Sequence, residues 1–360
     1  MLASFGARAC NVPVFRFALE AWTSGDYDLH VFHRGPLNAN DKALLEGLER
    51  DCAAPKEPVN ILVHAVDVAQ VQDMNARVRQ IWSEQKEPGN EKYLPRAVLC
   101  YPDSSDVAWS GLLSAGIARQ LAHSPARTEL AKRIAGGASI VFVLLESGNA
   151  TLDAPAAALL QKTLPELQAE LKLPAGDDLD EGPPRGHRLQ HLPLRLNFSI
   201  LRLSRSDAAE QAFIDQLMRA DNSLNAALPS VFPIFGRGRV LCGLSGTKLN
   251  AQILEQATMF LSGACSCQAK ELNPGTDLLM AVNWDDLLNA ADASSIERFV
   301  APVLSPTRPL ADSPTHSFSD PPIRPLDAAP VSSMMLWAAT VLAAILVVVT
   351  GRRVLKSKQE

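Results

Sequence analysis

Apolar residues recur along this chain at two spacings, every second position and every third to fourth, and these predict strands and helices in a repeated order. Phe15, Leu19 and Trp22 fall at helical spacing behind Pro13, a residue suited to a first helical turn. Leu29–His33 is a short β run stopped by Arg34-Gly35-Pro36. Asn40 or Asp41 can cap a helix that holds Leu44, Leu45 and Leu48. Val59–Val68 is β-rich and apolar on both faces, the pattern of a covered strand. Val71, Met74, Val78, Ile81 and Trp82 form a helical stripe. Strands at Arg96–Tyr101 and Val107–Trp109 follow, then helices from Leu113 and from Ser124-Pro125 to Ile134, closed by Gly136-Gly137.

The order then recurs. Ile140–Leu145 reads as an apolar strand and Ala154–Leu171 as a long helix. Leu194, Leu196, Phe198 and Ile200 alternate with polar residues, a strand with one wet face. Asp207-x-x-Glu210 has the form of a capping box for a helix to Met218. Val231–Phe235 and Val240–Leu244 flank Gly236-Arg237-Gly238 as a hairpin. A helix carries Ile253, Ala257, Phe260 and Leu261, and Leu278–Val282 predicts a further strand. Each half therefore reads β-α-β-α-β-β-α, and in each half the third strand follows a proline, Pro95 or Pro233.

The most apolar stretch lies at the end of the chain. Ala328 to Gly351 carries no charge, and its centre runs from Met334 through Trp337 to Val349. About 20 such residues span a bilayer's hydrocarbon core as a helix. Arg352, Arg353, Lys356 and Lys358 follow at once, an excess of cations that puts residues 352–360 in the cytoplasm and the bulk of the chain on the other side. Residues 331–351 are thus expected to form a transmembrane helix. The preceding stretch, 296–330, is a Pro-rich linker, with eight prolines between Ala301 and Pro330. At about 3.1 Å per residue such a stalk reaches up to roughly 90 Å from the membrane.

Composition adds the compartment. The chain has 360 residues, 47% of them hydrophobic, and a net charge of −5, which argues against a nucleic-acid partner. An exported bulk needs a signal. Ala7-Arg8-Ala9 before Cys10 has the small-x-small form of a cleavage site, so residues 1–9 read as the remnant of a signal peptide. The six cysteines, Cys10, Cys52, Cys100, Cys242, Cys265 and Cys267, are compatible with an oxidising compartment but too sparse for a disulfide scaffold. Cys52 and Cys100 could pair within the first half.

The doubled element order, with Pro95 and Pro233, resembles the thioredoxin-like fold twice in tandem. The resemblance implies a first domain over 10–137, a second over 138–295 and a cis-proline before the third strand of each. That family's redox centre is a Cys-x-x-Cys between first strand and first helix. The corresponding residues here are His33-Arg34-Gly35-Pro36 and Glu146-Ser147-Gly148-Asn149, without a thiol. The whole chain is also similar to a group of uncharacterised membrane-anchored bacterial proteins, which brings no activity with it.

Cys265-Ser266-Cys267, just past a helix end, is the most suggestive local chemistry. Two thiols one residue apart can pair with distant cysteines, form a strained and reducible disulfide, or ligate a soft metal such as Cu(I). Cys10, ahead of a helix N-terminus, is a candidate to act with them. His30 with His33, and His187 with His191, are weaker metal candidates. Gly236-Arg237-Gly238 leads into a strand rather than a helix, so it is not a dinucleotide loop, and Gly243-Leu244-Ser245-Gly246 misses a nucleophile elbow by one residue. No cofactor is implied. The expectation is an α/β interaction protein, anchored by one C-terminal helix, displayed outside the cytoplasm and partnered by the membrane and another protein. The alternative is a thiol-redox or copper-handling protein that uses Cys265 and Cys267.

Overall fold

The computed structural model describes residues 12–85, 94–174, 194–264 and 269–290. These form an α/β protein with two sheets. Helix α1 (Val14–Ala21) comes first. Then follow β1 (Tyr27–His33), α2 (Ala39–Cys52), β2 (Ile61–Asp67), α3 (Ala76–Glu84), β3 (Arg96–Cys100), β4 (Val107–Leu112), α4 (Ala115–Ala122) and α5 (Pro125–Ala135). The second set is β5 (Ile140–Glu146), α6 (Ala150–Glu170), β6 (Phe198–Ser204), α7 (Gln211–Arg219), β7 (Ser230–Phe235), β8 (Arg239–Val240), β9 (Leu244–Ser245), α8 (Ala251–Ser262), β10 (Thr276–Asp277) and α9 (Trp284–Ala290).

Both sheets have one plan. The first is ordered β2-β1-β3-β4 and the second β6-β5-β7-β8-β10, with β9 also paired to β7. In each, the first two strands are parallel and joined through a helix, and the third and fourth are antiparallel additions. Short polar residues start the helices: Asn38, Asn75, Ser114, Ser124, Asn149 and Asn250 each accept a backbone N–H of the first turn. The cap of α2 is Asn38, two residues before the expected Asn40, because Ala39 and Asn40 are already helical.

The cores cross between the two sets. Phe15, Phe17 and Trp22 of the α1 segment pack with Phe142, Leu144 and Leu160 on one face of the second sheet. Leu130, Ile134 and Ala135 of α5 pack with Val141, Val143 and Leu201 on its other face. Helix α7 bridges the sets: Phe213 and Leu217 lie in the second core, while Ala212 joins the first. Each fully buried leucine or phenylalanine contributes about 2–3 kcal/mol. The β7–β8 turn rests on α1 so closely that a Cβ on Gly236 (φ +57°) would come within 2.7 Å of the Ala18 Cβ, so both the turn and the packing require glycine there.

Four expectations are corrected. Val59–Val68 does not form a covered strand; β2 is the edge of the first sheet, and Leu62, His64 and Ala65 are exposed. Its apolar composition could not distinguish burial from an open edge. The strand expected at Leu278–Val282 is instead a seam between the cores. Leu278 and Met280 enter the second core, Leu279 the first, and Ala281 bridges to Val59. The capping-box glutamate, Glu210, does not cap its own helix; its carboxylate accepts from Ser124 Oγ at 2.5 Å and Ala126 N at 2.7 Å, at the start of α5.

The fourth concerns the prolines. Leu94–Pro95, immediately before β3, is the one cis peptide bond among the described residues. Phe232–Pro233 is not cis. Pro233 lies inside β7 opposite Phe142, and extending the two strand registers by one residue sets Pro95 opposite His33 and Pro229, not Pro233, opposite Glu146. The Pro233 carbonyl accepts from Leu241 N at 2.9 Å on the β8 side. The donor that proline lacks is missing on that same side, where the pairing breaks between β8 and β9.

Candidate functional site

The carboxyl ends of parallel strands with a helix between them are the usual place for a binding crevice in α/β sheets. At that place in the second sheet lies an open groove of about 490 Å³, lined by Glu146, Gly148, Ala154, Ala158, Gln161 and Arg202, among others. Its geometry follows from local sequence. Glu146 ends β5 and Arg202 sits opposite Leu144 on β6. Alternation along both strands turns Glu146 and Arg202 to the α6 side, where they form an ion pair with Arg202 Nε 2.8 Å from Glu146 Oε1. Helix α6 presents Ala154 and Ala158 there, a helical turn apart, and small side chains leave the space open.

The turn that shapes the mouth is tied down by one carboxylate. Asp153, 6% exposed, accepts from Ser147 N and Ser147 Oγ at 2.8 Å and from Gly148 N at 3.0 Å. Asn149 Oδ1 accepts from Thr151 N at 3.0 Å and caps α6. Burial lowers the Arg205 guanidinium from its ordinary value, and the negative charge of Asp153 partly restores it. These groups give the groove a polar rim over an alanine wall.

In the first set the corresponding turn is His33-Arg34-Gly35-Pro36. The His33 ring nitrogen Nδ1 is 2.8 Å from Gly35 O, and Asp67, at the end of β2, accepts from Gly35 N at 3.0 Å and Ala69 N at 2.9 Å. The Ala69 and then the Gly35 N–H hold the Asp67 carboxyl below its ordinary range.

A second polar cluster lies on the α3 face of the first sheet. His30 is opposite His64 in the β1–β2 register, and their rings stack at 5.2 Å. His64 Nε2 is 2.9 Å from Asp28 Oδ1, and Arg77 donates to Asp28 Oδ2 at 3.0 Å. His30 is 5% exposed, and neither ring nitrogen has a hydrogen-bond partner. Burial, with His64 next, pushes its pKa down to about 4. His33, the partner suggested by sequence, is on the opposite face. The pairing of His30 with His64 depends on strand register, which spacing along one strand does not reveal. Among the described residues no group of three or more His, Cys, Asp or Glu is arranged to hold a metal ion.

The described cysteines are free; Cys52 and Cys100 are buried and Cys242 is half-buried. Cys52 packs in the core beneath α2, whereas Cys100 belongs to the cluster on the other face of the first sheet with Phe32 and Trp82, so the two cannot pair. Burial pushes the thiols of Cys52 and Cys100 up to about 11 and that of Cys242 to about 12. Such thiols carry almost no thiolate at neutral pH. Cys10, Cys265, Cys267, His187 and His191 lie outside the described residues, as do residues 1–9, the Pro-rich linker and the anchor with Met334, Trp337, Val349, Arg352 and Arg353. Among the described residues no helix is long and apolar enough to cross a membrane.

Sequence reasoning identified the Glu146–Asn149 turn but missed Arg202 and Asp153. The strand alternation carried a signal for Arg202, a lone cation on the face shared with Phe198 and Ile200. Comparison with known proteins finds no protein-family model that matches the chain and no curated protein that matches it.

Proposed function

We propose that this chain is a non-catalytic interaction protein, anchored by the apolar run at residues 331–351 and displayed outside the cytoplasm on its Pro-rich stalk. In this reading its two halves are thioredoxin-like, and the groove at Glu146 and Arg202 holds a segment of another protein. The observation that carries the reading is the strand-to-helix turn after β5. It stands where the thioredoxin-like family keeps its thiols, it has none, and it opens into a binding-sized groove instead. The two matching strand orders and the cis bond before β3 support the family resemblance. The high-pKa thiols of buried Cys52 and Cys100 and half-buried Cys242 agree with a protein that does not exchange disulfides through them.

Photo-crosslinking from position 158 in intact cells tests this reading. A discrete adduct is expected, and it should disappear when Ala154→Arg fills the groove without lowering the melting temperature. Absence of an adduct, or catalytic disulfide exchange by the purified full-length chain, would overturn it.

A further inference from the structure

The two sheets share one strand order, so their parallel edge strands, β2 and β6, can be compared directly. Both are seven residues long, and both end a sheet. An edge strand leaves a row of backbone N–H and C=O groups unpaired, and proteins usually blunt such edges by covering them or by placing Lys, Pro or a bulge on them.

Strand β6 is guarded in this way. Phe198, Ile200, Leu201 and Leu203 are buried, with α5 and α6 packed on its faces. Arg133 of α5 donates to Ile200 O at 2.7 Å, and Phe198 N donates to Gln168 Oε1 of α6 at 2.8 Å. The outer strand of the second sheet's other edge, β10, is only two residues long, and β4, at the far edge of the first sheet, has α7 against it.

Among the described residues strand β2 has none of these devices. Its sequence, Ile-Leu-Val-His-Ala-Val-Asp, contains no Lys or Pro, and its register with β1 runs unbroken from Ile61 to Asp67. Among the described residues no side chain hydrogen-bonds to its backbone. Leu62 is 51% exposed on one face, and Ala65 is exposed on the other.

The strand is also complementary to itself. Antiparallel pairing of two copies about His64 sets Leu62 beside the other copy's Val66, Val63 beside its Ala65, and His64 beside its own counterpart. From Leu62 to Val66 each apolar side chain then meets an apolar one on the same face. The single carboxylate, Asp67, falls opposite Ile61, so the two carboxylates lie at opposite ends of the pairing, about 20 Å apart, well beyond the roughly 8 Å screening length. A two-fold axis perpendicular to the sheet generates this arrangement and closes it at two copies.

We propose that β2 is a self-association edge through which two copies of this chain join their four-stranded sheets into one continuous sheet, antiparallel about His64. The inference rests on β2 alone and stands apart from the function proposed for the groove. A foreign extended strand is the competing occupant. It would need no symmetry about His64, whereas the polarity of this strand is symmetric there from Leu62 to Val66.

The test uses the full-length chain in detergent or nanodiscs, with Cys10, Cys265 and Cys267 changed to Ser. Under mild oxidation His64→Cys should yield a covalent dimer. Leu62→Cys should not, because its copy lies four positions out of register, and the double variant Leu62→Cys with Val66→Cys should. Ala65→Lys, at an exposed position, should lower the protein mass measured by light scattering about two-fold while leaving the melting temperature unchanged. A monomeric parent protein, with or without a foreign strand on β2, would overturn the proposal. So would cross-linking of Leu62→Cys that equals that of His64→Cys, or an Ala65→Lys protein that remains a dimer.

Discussion

Arg239 donates to Asp277 across 2.8 Å, and both side chains are about nine-tenths buried. The same carboxylate accepts from Lys270 at 2.7 Å and from Gly25 N at 2.8 Å. One group thus ties the entry of β1 to β8 and β10 of the second sheet. Tyr27 Oη adds a donor to Asp277 O at 2.5 Å. Burial alone would raise the Asp277 carboxyl, but Arg239, Lys270 and the Gly25 N–H outweigh it and hold the pKa below the ordinary value.

Asp277→Asn should therefore cost about 3–5 kcal/mol, because it leaves Arg239 buried without its countercharge. A fall of roughly 10 °C in melting temperature is expected. The sign with pH is fixed by the depressed folded pKa. The stability from Asp277 is present above the unfolded-state pKa and is lost as pH falls through the folded one. Acid unfolding of the parent should be steeper below about pH 4 than that of the variant. Equal acid profiles would contradict this account.

Glu210 makes a separate prediction, since its oxygens serve α5 rather than its own helix. Glu210→Ala strands the Ala126 N–H and the Ser124 hydroxyl in a buried site and should cost about 2–3 kcal/mol. Glu210→Gln keeps one acceptor and the side-chain volume, and should cost less than half as much. Urea titration distinguishes the two. Equal losses would mean that packing, not capping, is the role of this side chain.

Much of the architecture was legible because local rules decide it. A continuous apolar run marked β5, Gly236-Arg237-Gly238 marked the hairpin, and Ser124-Pro125 marked the start of α5. Long-range relations were not legible. The Leu278–Ala281 segment looks apolar throughout because it serves two cores in turn. Strand β2 looks covered because an exposed apolar edge has the same composition as a buried strand. Pro229, not Pro233, takes the register position of Pro95, a relation that spacing along the chain does not reveal. At the candidate site, the absence of thiols was readable from the turns, but Asp153 and Arg202 reach it only through the α6 turn and the β5–β6 pairing.

The raised pKa values of Cys52, Cys100 and Cys242 give a kinetic prediction. In the native protein these three thiols should react with an aromatic disulfide reagent at least about 100-fold more slowly than a free thiol with a pKa near 8.5. In denaturant all three should react at the free rate. Stopped-flow labelling of the Cys10, Cys265 and Cys267 triple Ser variant isolates them. Fast native reaction of Cys52 or Cys100 would show an open path to a core that the structure closes, and fast reaction of half-buried Cys242 would contradict its raised pKa.

His30 carries the last prediction, because it is buried with neither ring nitrogen bonded and faces His64, Asp28 and Arg77. Its folded pKa is lowered to about 4, mainly by burial, while an unfolded histidine titrates near 6.5. Between those values the unfolded chain takes up a proton that the folded chain refuses. Stability is thus full above about pH 6.5 and declines as pH falls toward the folded value, by roughly 2 kcal/mol in total after allowance for partial solvation. His30→Leu removes the titrating group and leaves an apolar side chain beside Phe32. It should unfold at nearly the same urea concentration as the parent at pH 8 and be more stable by about 1–2 kcal/mol at pH 5. His64→Leu, on the exposed side of the stack, serves as the control and should leave most of the acid sensitivity in place. If His30→Leu and the parent lose stability in parallel between pH 8 and pH 5, proton uptake at His30 is not what weakens the fold in acid.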